Sequence, residues 1–157
     1  MDNKIEERYI FLDFDGVLNT MEYQTALQWK GEPGYDEYGT LFNPYTVECL
    51  RHIIDRTSAR LVISSSWRLD GIDKMREMWA ARNMPGEVFG VTPALDNIYF
   101  KSLDGGHDTF SVIPSYTYAI IDDGDDFLQT QFNHIVITEP ETGITKEVAD
   151  KVIQILR

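Results

Sequence analysis

Short, uninterrupted runs of apolar residues recur along the chain, and segments with helical periodicity lie between several of them. Such runs predict β-strands over residues 8–14, 60–65, 87–91, 117–122 and 134–138. Apolar runs without a polar face are typical of strands that are buried on both sides of a parallel sheet. Because strands and helices alternate, we expect βαβ units and an α/β fold with a mainly parallel five-stranded sheet.

Three helices are predicted from their start signals and their apolar faces. Asn43 is a favourable N-cap and Pro44 suits the first helical position, so one helix should begin there and run to about Thr57. A second helix is expected over about residues 70–83, and the last should begin near Thr145 and continue to the C-terminus.

Two segments do not fit this alternation and are predicted to be irregular. Residues 20–42 mix aromatic side chains with glycines, and residues 92–116 have a Gly-rich centre. Long irregular segments beside strand ends are often lids or binding loops, and packed structural loops are an equally good interpretation here.

Three of the predicted strands end in side chains with acceptor oxygens. The first runs into Asp13 and Asp15, the second into Ser64, and a later strand into Asp122 and Asp123. Open α/β sheets bind ligands beyond the carboxyl ends of their strands, so neighbouring strands would bring these groups into one crevice. Carboxylates at close range repel one another unless a cation or shared protons offset their charge. Mg²⁺ is the expected cation, because it prefers oxygen ligands and keeps waters that a substrate phosphate can replace.

Composition limits the classes of protein that need to be considered. With 157 residues, 43% of them apolar and 12% aromatic, the chain can bury one substantial core, and we predict a single domain over residues 1–157. The polar N-terminal segment and the lack of a long apolar stretch predict a soluble cytoplasmic protein without a membrane partner. Cys49 is the only cysteine, which excludes an intrachain disulfide, and its helical context predicts a buried thiol.

The formal net charge of −12 argues against a broad nucleic-acid-binding surface. Binding along a phosphate backbone requires clustered Lys and Arg side chains, which the sequence does not provide. The charge is compatible with a nucleic-acid end as a substrate. Part of the acidity belongs to the predicted metal site, where the cation would offset it.

The first acidic pair suggests a specific chemistry. Asp13 and Asp15 are two residues apart at a strand end, so their side chains should point the same way, and Gly16 allows a sharp turn after them. One carboxylate can attack a phosphorus atom while the other exchanges a proton with the leaving group. This arrangement would give a covalent aspartyl-phosphate intermediate.

The order of these motifs resembles the haloacid dehalogenase (HAD) superfamily of aspartate-dependent phosphohydrolases. The shared features are a strand into Asp-x-Asp-Gly, a second strand into Ser or Thr, and a later strand into Asp-Asp. A narrower similarity is to the small uncapped branch related to the phosphatase domains of RNA-repair proteins. It rests on Asp15-Gly16-Val17-Leu18-Asn19, Ser65-Ser66-Trp67-Arg68, Ile121-Asp122-Asp123, and Val136-Ile137-Thr138 before Gly143-Ile144-Thr145. The expected architecture is a Rossmann-like three-layer sandwich without a large cap domain.

The resemblance implies a role for each strand-end residue. Asp13 would be the nucleophile and Asp15 the general acid and later the general base, while Ser64 would hydrogen-bond the transferring phosphoryl group. Asp123 would bind the metal together with the Asp13 side chain and the Asp15 carbonyl, and Asp122 would orient its neighbours. The roles of Asp122 and Asp123 can be exchanged on sequence grounds.

The resemblance also implies a cation that offsets the charge of the nucleophile and the phosphate. Lys101 is the first candidate, although a solvated lysine is an equally good interpretation, and Arg68 is the alternative because it begins a helix beside the second strand end. Trp67 is interpreted as a packing residue. Trp29, in the aromatic segment, is expected to lie over the crevice and contact a large substrate.

The leading interpretation is a Mg²⁺-dependent phosphatase that acts on a phosphomonoester. The open site favours a phosphoprotein or a nucleic-acid end over a small molecule. One alternative is a receiver-like signalling domain, whose phosphorylated Asp stands alone on a later strand. The other is a catalytically silent HAD-fold binding module, in which Asp13 and Asp15 would not both be required.

Overall fold

The computed structural model describes residues 7–92, 116–124, 127 and 129–157. The strands in these ranges are β1 (Glu7–Leu12), β2 (Tyr35–Asp36), β3 (Gly39–Thr40), β4 (Arg60–Ile63), β5 (Val88–Val91), β6 (Tyr116–Asp122) and β7 (Ile135–Ile137). The α-helices are α1 (Met21–Lys30), α2 (Pro44–Thr57), α3 (Ile72–Ala81) and α4 (Lys146–Leu156). Short 3₁₀ segments cover Ser66–Asp70 and Gln129–His134.

Five of these strands form one parallel sheet in the order β5-β4-β1-β6-β7. The predicted strand positions are therefore confirmed to within a few residues, as is the Rossmann-like α/β fold with its parallel sheet. β1 is the central strand, and the chain moves from it to β4 on one side and later to β6 on the other. Such a reversal of strand order opens a crevice at the carboxyl edge of the sheet.

Side chains along the strands alternate between two apolar clusters, which explains why the sequence runs are apolar without interruption. One face of the sheet shares a core with α2, α3 and α4. Its buried strand members are Ile10, Leu12, Leu61, Ile63, Val88, Ala119, Ile121 and Val136. The other face has Tyr9, Phe11, Val62, Tyr118 and Ile120.

The predicted helix starts at residues 43 and 145 are confirmed in atomic detail. Asn43 precedes α2 and its side chain accepts a hydrogen bond from the N–H of Tyr45 at 2.9 Å. Thr145 precedes α4 and accepts from the N–H of Val148 at 3.2 Å. Cys49 lies buried on the inner face of α2, as predicted. These caps fix where each helix begins relative to the sheet.

The prediction that residues 20–42 are irregular is wrong. The segment forms α1 and the antiparallel β2–β3 hairpin. Only Leu27 of α1 is buried, so the helix has no apolar stripe that the sequence pattern would reveal. Its ends do carry signals, since the Thr20 side chain accepts from the N–H of Tyr23 and Gly31 adopts a left-handed conformation after the last turn.

Within the described ranges, no helix has the length and apolar character needed to cross a membrane. Most of the second segment predicted to be irregular, including Lys101, lies outside the described residues.

Candidate active site

The strand register brings the predicted site residues to one level at the carboxyl edge of the sheet. Leu12 of β1 pairs with Ile63 of β4 and with Ile121 of β6. Asp13 directly follows Leu12, so it lies level with Ser64 and Asp122, the residues that follow those two partners. Backbone hydrogen bonds continue the alignment, from the Asp13 N–H to the Ile121 carbonyl at 3.1 Å and from the Ser64 N–H to the Leu12 carbonyl at 2.9 Å.

The loop after β1 is a tight turn that is held from several directions. The Phe14 carbonyl accepts from the N–H groups of Leu18 and Asn19, at 2.8 and 3.1 Å. Gly16 has a φ of 78°, which favours glycine, and its carbonyl accepts from the buried Thr138 hydroxyl at 2.7 Å. The loop is therefore fixed against β7 as well as β1, which limits the movement of the acidic pair.

Gly16 also makes room for an acidic side chain. A Cβ atom at this position would lie 2.9 Å from Cγ of Asp123 and closer still to its Oδ2. Glycine is needed here both for its backbone conformation and for this close approach. The Asp-x-Asp-Gly turn of β1 and the Asp-Asp end of β6 thus fit against each other.

Three carboxylates form the centre of the site. Asp13, Asp122 and Asp123 each offer an oxygen, and these oxygens all lie within 4.8 Å of one another. Burial, and next the negative charge of Asp122, raise the pKa of the Asp13 carboxyl to about 8, while the Phe14 N–H that donates to its Oδ1 at 2.8 Å acts in the opposite direction. Without a cation, the cluster therefore retains a proton at neutral pH.

Asp122 shows the same effect to a smaller extent. Burial and the neighbouring charge of Asp123 raise the pKa of the Asp122 carboxyl to about 6. The N–H of Gly124 donates to Asp122 Oδ1 at 2.8 Å and opposes the increase. Two adjacent carboxyls with raised pKa values indicate that the site is arranged for an additional positive charge.

We expect the metal-free protein to lose stability as the pH rises, because of Asp13. The Asp13 carboxyl has an ordinary pKa of 3.8, and in the folded protein its pKa is about 8. Between these values the folded protein holds a proton that the unfolded chain has released, so the free energy of unfolding decreases with pH, by at most about 1.4 kcal/mol per pH unit for one proton. Asp13→Asn should remove this slope in urea unfolding with chelator between about pH 6 and about pH 8, which lies above the pKa of the Asp122 carboxyl.

Asp36 offers a matched control for that experiment. Arg82 donates two hydrogen bonds to its carboxylate, at 2.6 and 3.0 Å, and these lower the pKa of Asp36. Its contribution to stability is present above the unfolded pKa and is lost as the pH falls, which is the opposite sign. Asp36→Asn should destabilise the protein at neutral pH and leave the slope unchanged. A wild-type slope in Asp13→Asn would show that the retained proton belongs to another group.

Ser64 contributes a hydroxyl group that lacks a partner among the described residues. Its Oγ is buried, and no hydrogen bond from or to it is present within that part of the chain. A buried hydroxyl without a partner costs about 1–3 kcal/mol. Such a group, at the end of the strand next to the one that leads into Asp13, is suited to donating to an oxygen of a bound anion.

Asp15 differs from Asp13 in its surroundings. It is exposed, and its Oδ1 accepts from the Asn19 side-chain amide at 2.8 Å and from the Trp67 indole N–H at 3.3 Å. The sequence interpretation of Trp67 as a packing residue therefore missed a polar contact, and it assigned no role to Asn19. Asn19 is four residues from Asp15 in a tight turn, a spacing that could have suggested the contact.

Three further residues are predicted from the sequence to lie near the substrate: Arg68, Lys101 and Trp29. The Arg68 guanidinium donates to the backbone carbonyls of Ser65 and Thr92, at 2.9 and 3.1 Å, and so links the end of β4 to that of β5. The Lys101 prediction falls outside the described residues. Trp29 is 85% exposed on α1, and its predicted contact with a large substrate stays a prediction.

The donor set of the site fits a hard divalent cation. Asp13, Asp122 and Asp123 provide carboxylate oxygens only, and the raised pKa values of the first two show that added positive charge would be favourable. His and Cys, the ligands of structural zinc sites, do not take part in this cluster.

Comparison with protein-family models gives a match over most of the chain. Residues 9–149 match the family model described as the HAD domain in Swiss Army Knife RNA repair proteins. The matched range includes every site residue discussed above. Searches of curated proteins and of solved structures return no match.

Proposed function

The chain belongs to the family of HAD domains in Swiss Army Knife RNA repair proteins, and from this membership and the site geometry we propose that it is a Mg²⁺-dependent phosphatase. The family match confirms the resemblance inferred from the strand-end motifs, and it indicates a hydrolase. It does not favour the receiver-like alternative. The observation that carries the proposal is the position of Asp13, level with Ser64 and beside two further carboxylates at the edge of the sheet.

Asp13 is the nucleophile in this proposal. Its carboxylate oxygen forms a bond to the phosphorus of a phosphomonoester as the bond from phosphorus to the leaving oxygen breaks, which gives an aspartyl phosphate. Water then attacks the same phosphorus atom, the bond to the Asp13 oxygen breaks, and inorganic phosphate leaves. The half-buried position of Asp13 supports this role, because the Phe14 N–H that donates to its Oδ1 at 2.8 Å helps to hold the carboxylate in one orientation.

Asp15 moves the protons in both steps. Its carboxylic acid gives a proton to the departing alkoxide, and the resulting carboxylate takes a proton from the attacking water. An exposed side chain is suited to this exchange because leaving group and water both arrive from solvent. The two aspartates of the Asp-x-Asp turn thus have separate tasks in separate environments.

Asp13, Asp122, Asp123 and the Asp15 carbonyl would hold Mg²⁺. The bound ion would offset the charge of the carboxylates and of the phosphate oxygens. Ser64 would donate its hydroxyl hydrogen to the transferring phosphoryl group, and Lys101 would add a second positive charge near it. A cation in a partly desolvated site acts more strongly on developing charge than one in bulk water.

We propose a phosphorylated nucleic-acid end as the substrate. The family description concerns RNA repair, and the net charge of −12 disfavours contact along a polynucleotide backbone but is compatible with contact at one terminal phosphate. Residues 1–157 would act as one hydrolase domain, in the cytoplasm.

The proposal is tested by release of inorganic phosphate from a panel of substrates, with and without Mg²⁺. The panel consists of an aryl phosphate, sugar phosphates, a phosphopeptide, and oligoribonucleotides phosphorylated at the 3′ or the 5′ end. We expect turnover of the aryl phosphate and preferred turnover of one oligonucleotide end. Preference for the peptide or the sugar phosphates would replace the proposed substrate class, and no turnover of any compound would overturn the phosphatase.

A further inference from the structure

Trp67 makes two kinds of contact that the proposed mechanism does not yet use. Its indole N–H donates to Oδ1 of Asp15 at 3.3 Å, and its ring packs against Phe14 and Phe42 with centroid distances of 5.2 and 5.6 Å. The ring contacts fix the plane of the indole, so the direction of the N–H is also fixed. A hydrogen-bond donor on a packed aromatic ring is a rigid support for an exposed carboxylate.

We infer that Trp67 is a positioning residue that holds the general acid Asp15 in its productive orientation, an inference that rests on the proposed function. The Asn19 amide and the Trp67 indole both donate to Oδ1 of Asp15. This leaves Oδ2 as the oxygen that carries the transferred proton. An exposed carboxyl supported at only one point would rotate about its side-chain bonds, and small losses of orientation are costly in proton transfer.

The β2–β3 hairpin packs against the Trp67 indole ring. A Cβ atom at Gly39 would lie 2.9 Å from Cη2 of Trp67, so the hairpin backbone is in close contact with the ring. Arg82 anchors this hairpin through the Asp36 carboxylate and through the carbonyls of Gly39 and Thr40, at 3.0 and 3.1 Å. The β2–β3 hairpin is thereby connected to Asp15 through the Trp67 ring.

The decisive variant is Trp67→Phe, which retains an aromatic ring and removes the N–H donor. We expect the turnover rate for an alkyl phosphate to fall by roughly 5–50-fold and that for an aryl phosphate by less than about 3-fold, with KM little changed, because a good leaving group needs less help from the acid. Asp15→Asn should show the same dependence on leaving group with a larger loss. In the Asp15→Ala background, Trp67→Phe should have no additional effect.

Trp79→Phe is a matched control for the loss of an indole group. Trp79 packs on Phe14 with a centroid distance of 5.9 Å and donates its N–H to the Pro85 carbonyl at 2.8 Å, without contact to Asp15. The Trp79→Phe variant should have a lower melting temperature than the wild type and the same ratio of alkyl to aryl rates. If Trp67→Phe does not fold, Gly39→Ala serves as the second variant, since it keeps the N–H and displaces the ring. It should lower the alkyl rate selectively.

A spectroscopic measurement separates this inference from the proposed function. Among the three tryptophans, the indole proton resonance of Trp67 should move upfield in Asp15→Ala, while that of Trp79 stays in place. The positioning role would be overturned if Trp67→Phe and Gly39→Ala lowered the turnover rates of the alkyl and the aryl phosphate by equal factors, or left both rates unchanged. No hydrolysis by the wild-type protein, with the Trp67 shift still present, would overturn the proposed function and with it the catalytic part of the inference.

Discussion

Asp13→Asn should lower the turnover of an aryl phosphate by about 10⁴-fold or more, because a carboxamide is a poor nucleophile and no covalent intermediate can form. An aryl phosphate has a good leaving group, so this loss reports on the nucleophile and not on the general acid. The measurement combines steady-state rates with acid quenching of a labelled substrate. Labelled phosphate should remain bound to the wild-type protein and be absent from the variant.

The stability of the same variant is its internal control. Because the pKa of the half-buried Asp13 carboxyl is raised to about 8 in the metal-free wild-type protein, the Asn variant should be at least as stable as the wild type at about pH 8 in chelator. A loss of activity in a stable protein then identifies a chemical role. Activity within tenfold of the wild type would show that another group attacks phosphorus.

Removal of Mg²⁺ should abolish turnover, and Asp123→Asn should weaken Mg²⁺ binding. The physical reason is the set of three carboxylate oxygens within 4.8 Å of one another, which repel without a cation. Calorimetric titration of the metal-stripped protein gives the affinity directly. Thermal unfolding gives a second readout, since an ion present at 100 times its dissociation constant stabilises the folded state by about 2.7 kcal/mol.

Asp36→Asn is the control for the metal experiment, because it removes a carboxylate that is paired with Arg82 outside the cluster. Its Mg²⁺ affinity should equal that of the wild type. The metal requirement would be contradicted by full turnover in excess EDTA in a preparation shown by elemental analysis to contain no tightly bound metal.

The parts of the fold that the sequence predicted are those with a strong local pattern. The strands show continuous apolar runs because both faces of the sheet are buried, and α2 has both an N-cap at Asn43 and an apolar face. In contrast, α1 buries only Leu27, so its hydrophobic pattern is weak. The β2–β3 hairpin depends on the distant Arg82, which no local pattern reveals.

The same distinction applies to the site. Asp13, Ser64 and the Asp122-Asp123 pair follow directly from strand ends, because parallel register alone brings them together. The support of Asp15 by Trp67 could not be predicted in this way. It depends on the path of the 3₁₀ segment Ser66–Asp70 and on the aromatic packing beneath it.

The buried hydroxyl of Ser64 has a consequence for the evolution of this protein. The Ser64 hydroxyl has no hydrogen-bond partner within the described part of the chain, and the Asp13 carboxyl has a raised pKa, so each opposes folding of the ligand-free protein at neutral pH. Substitutions that relieve these two costs would make a more stable protein without the proposed phosphatase activity. Laboratory selection for heat resistance alone should therefore replace Ser64 and Asp13 early. Selection that also requires activity should retain both residues.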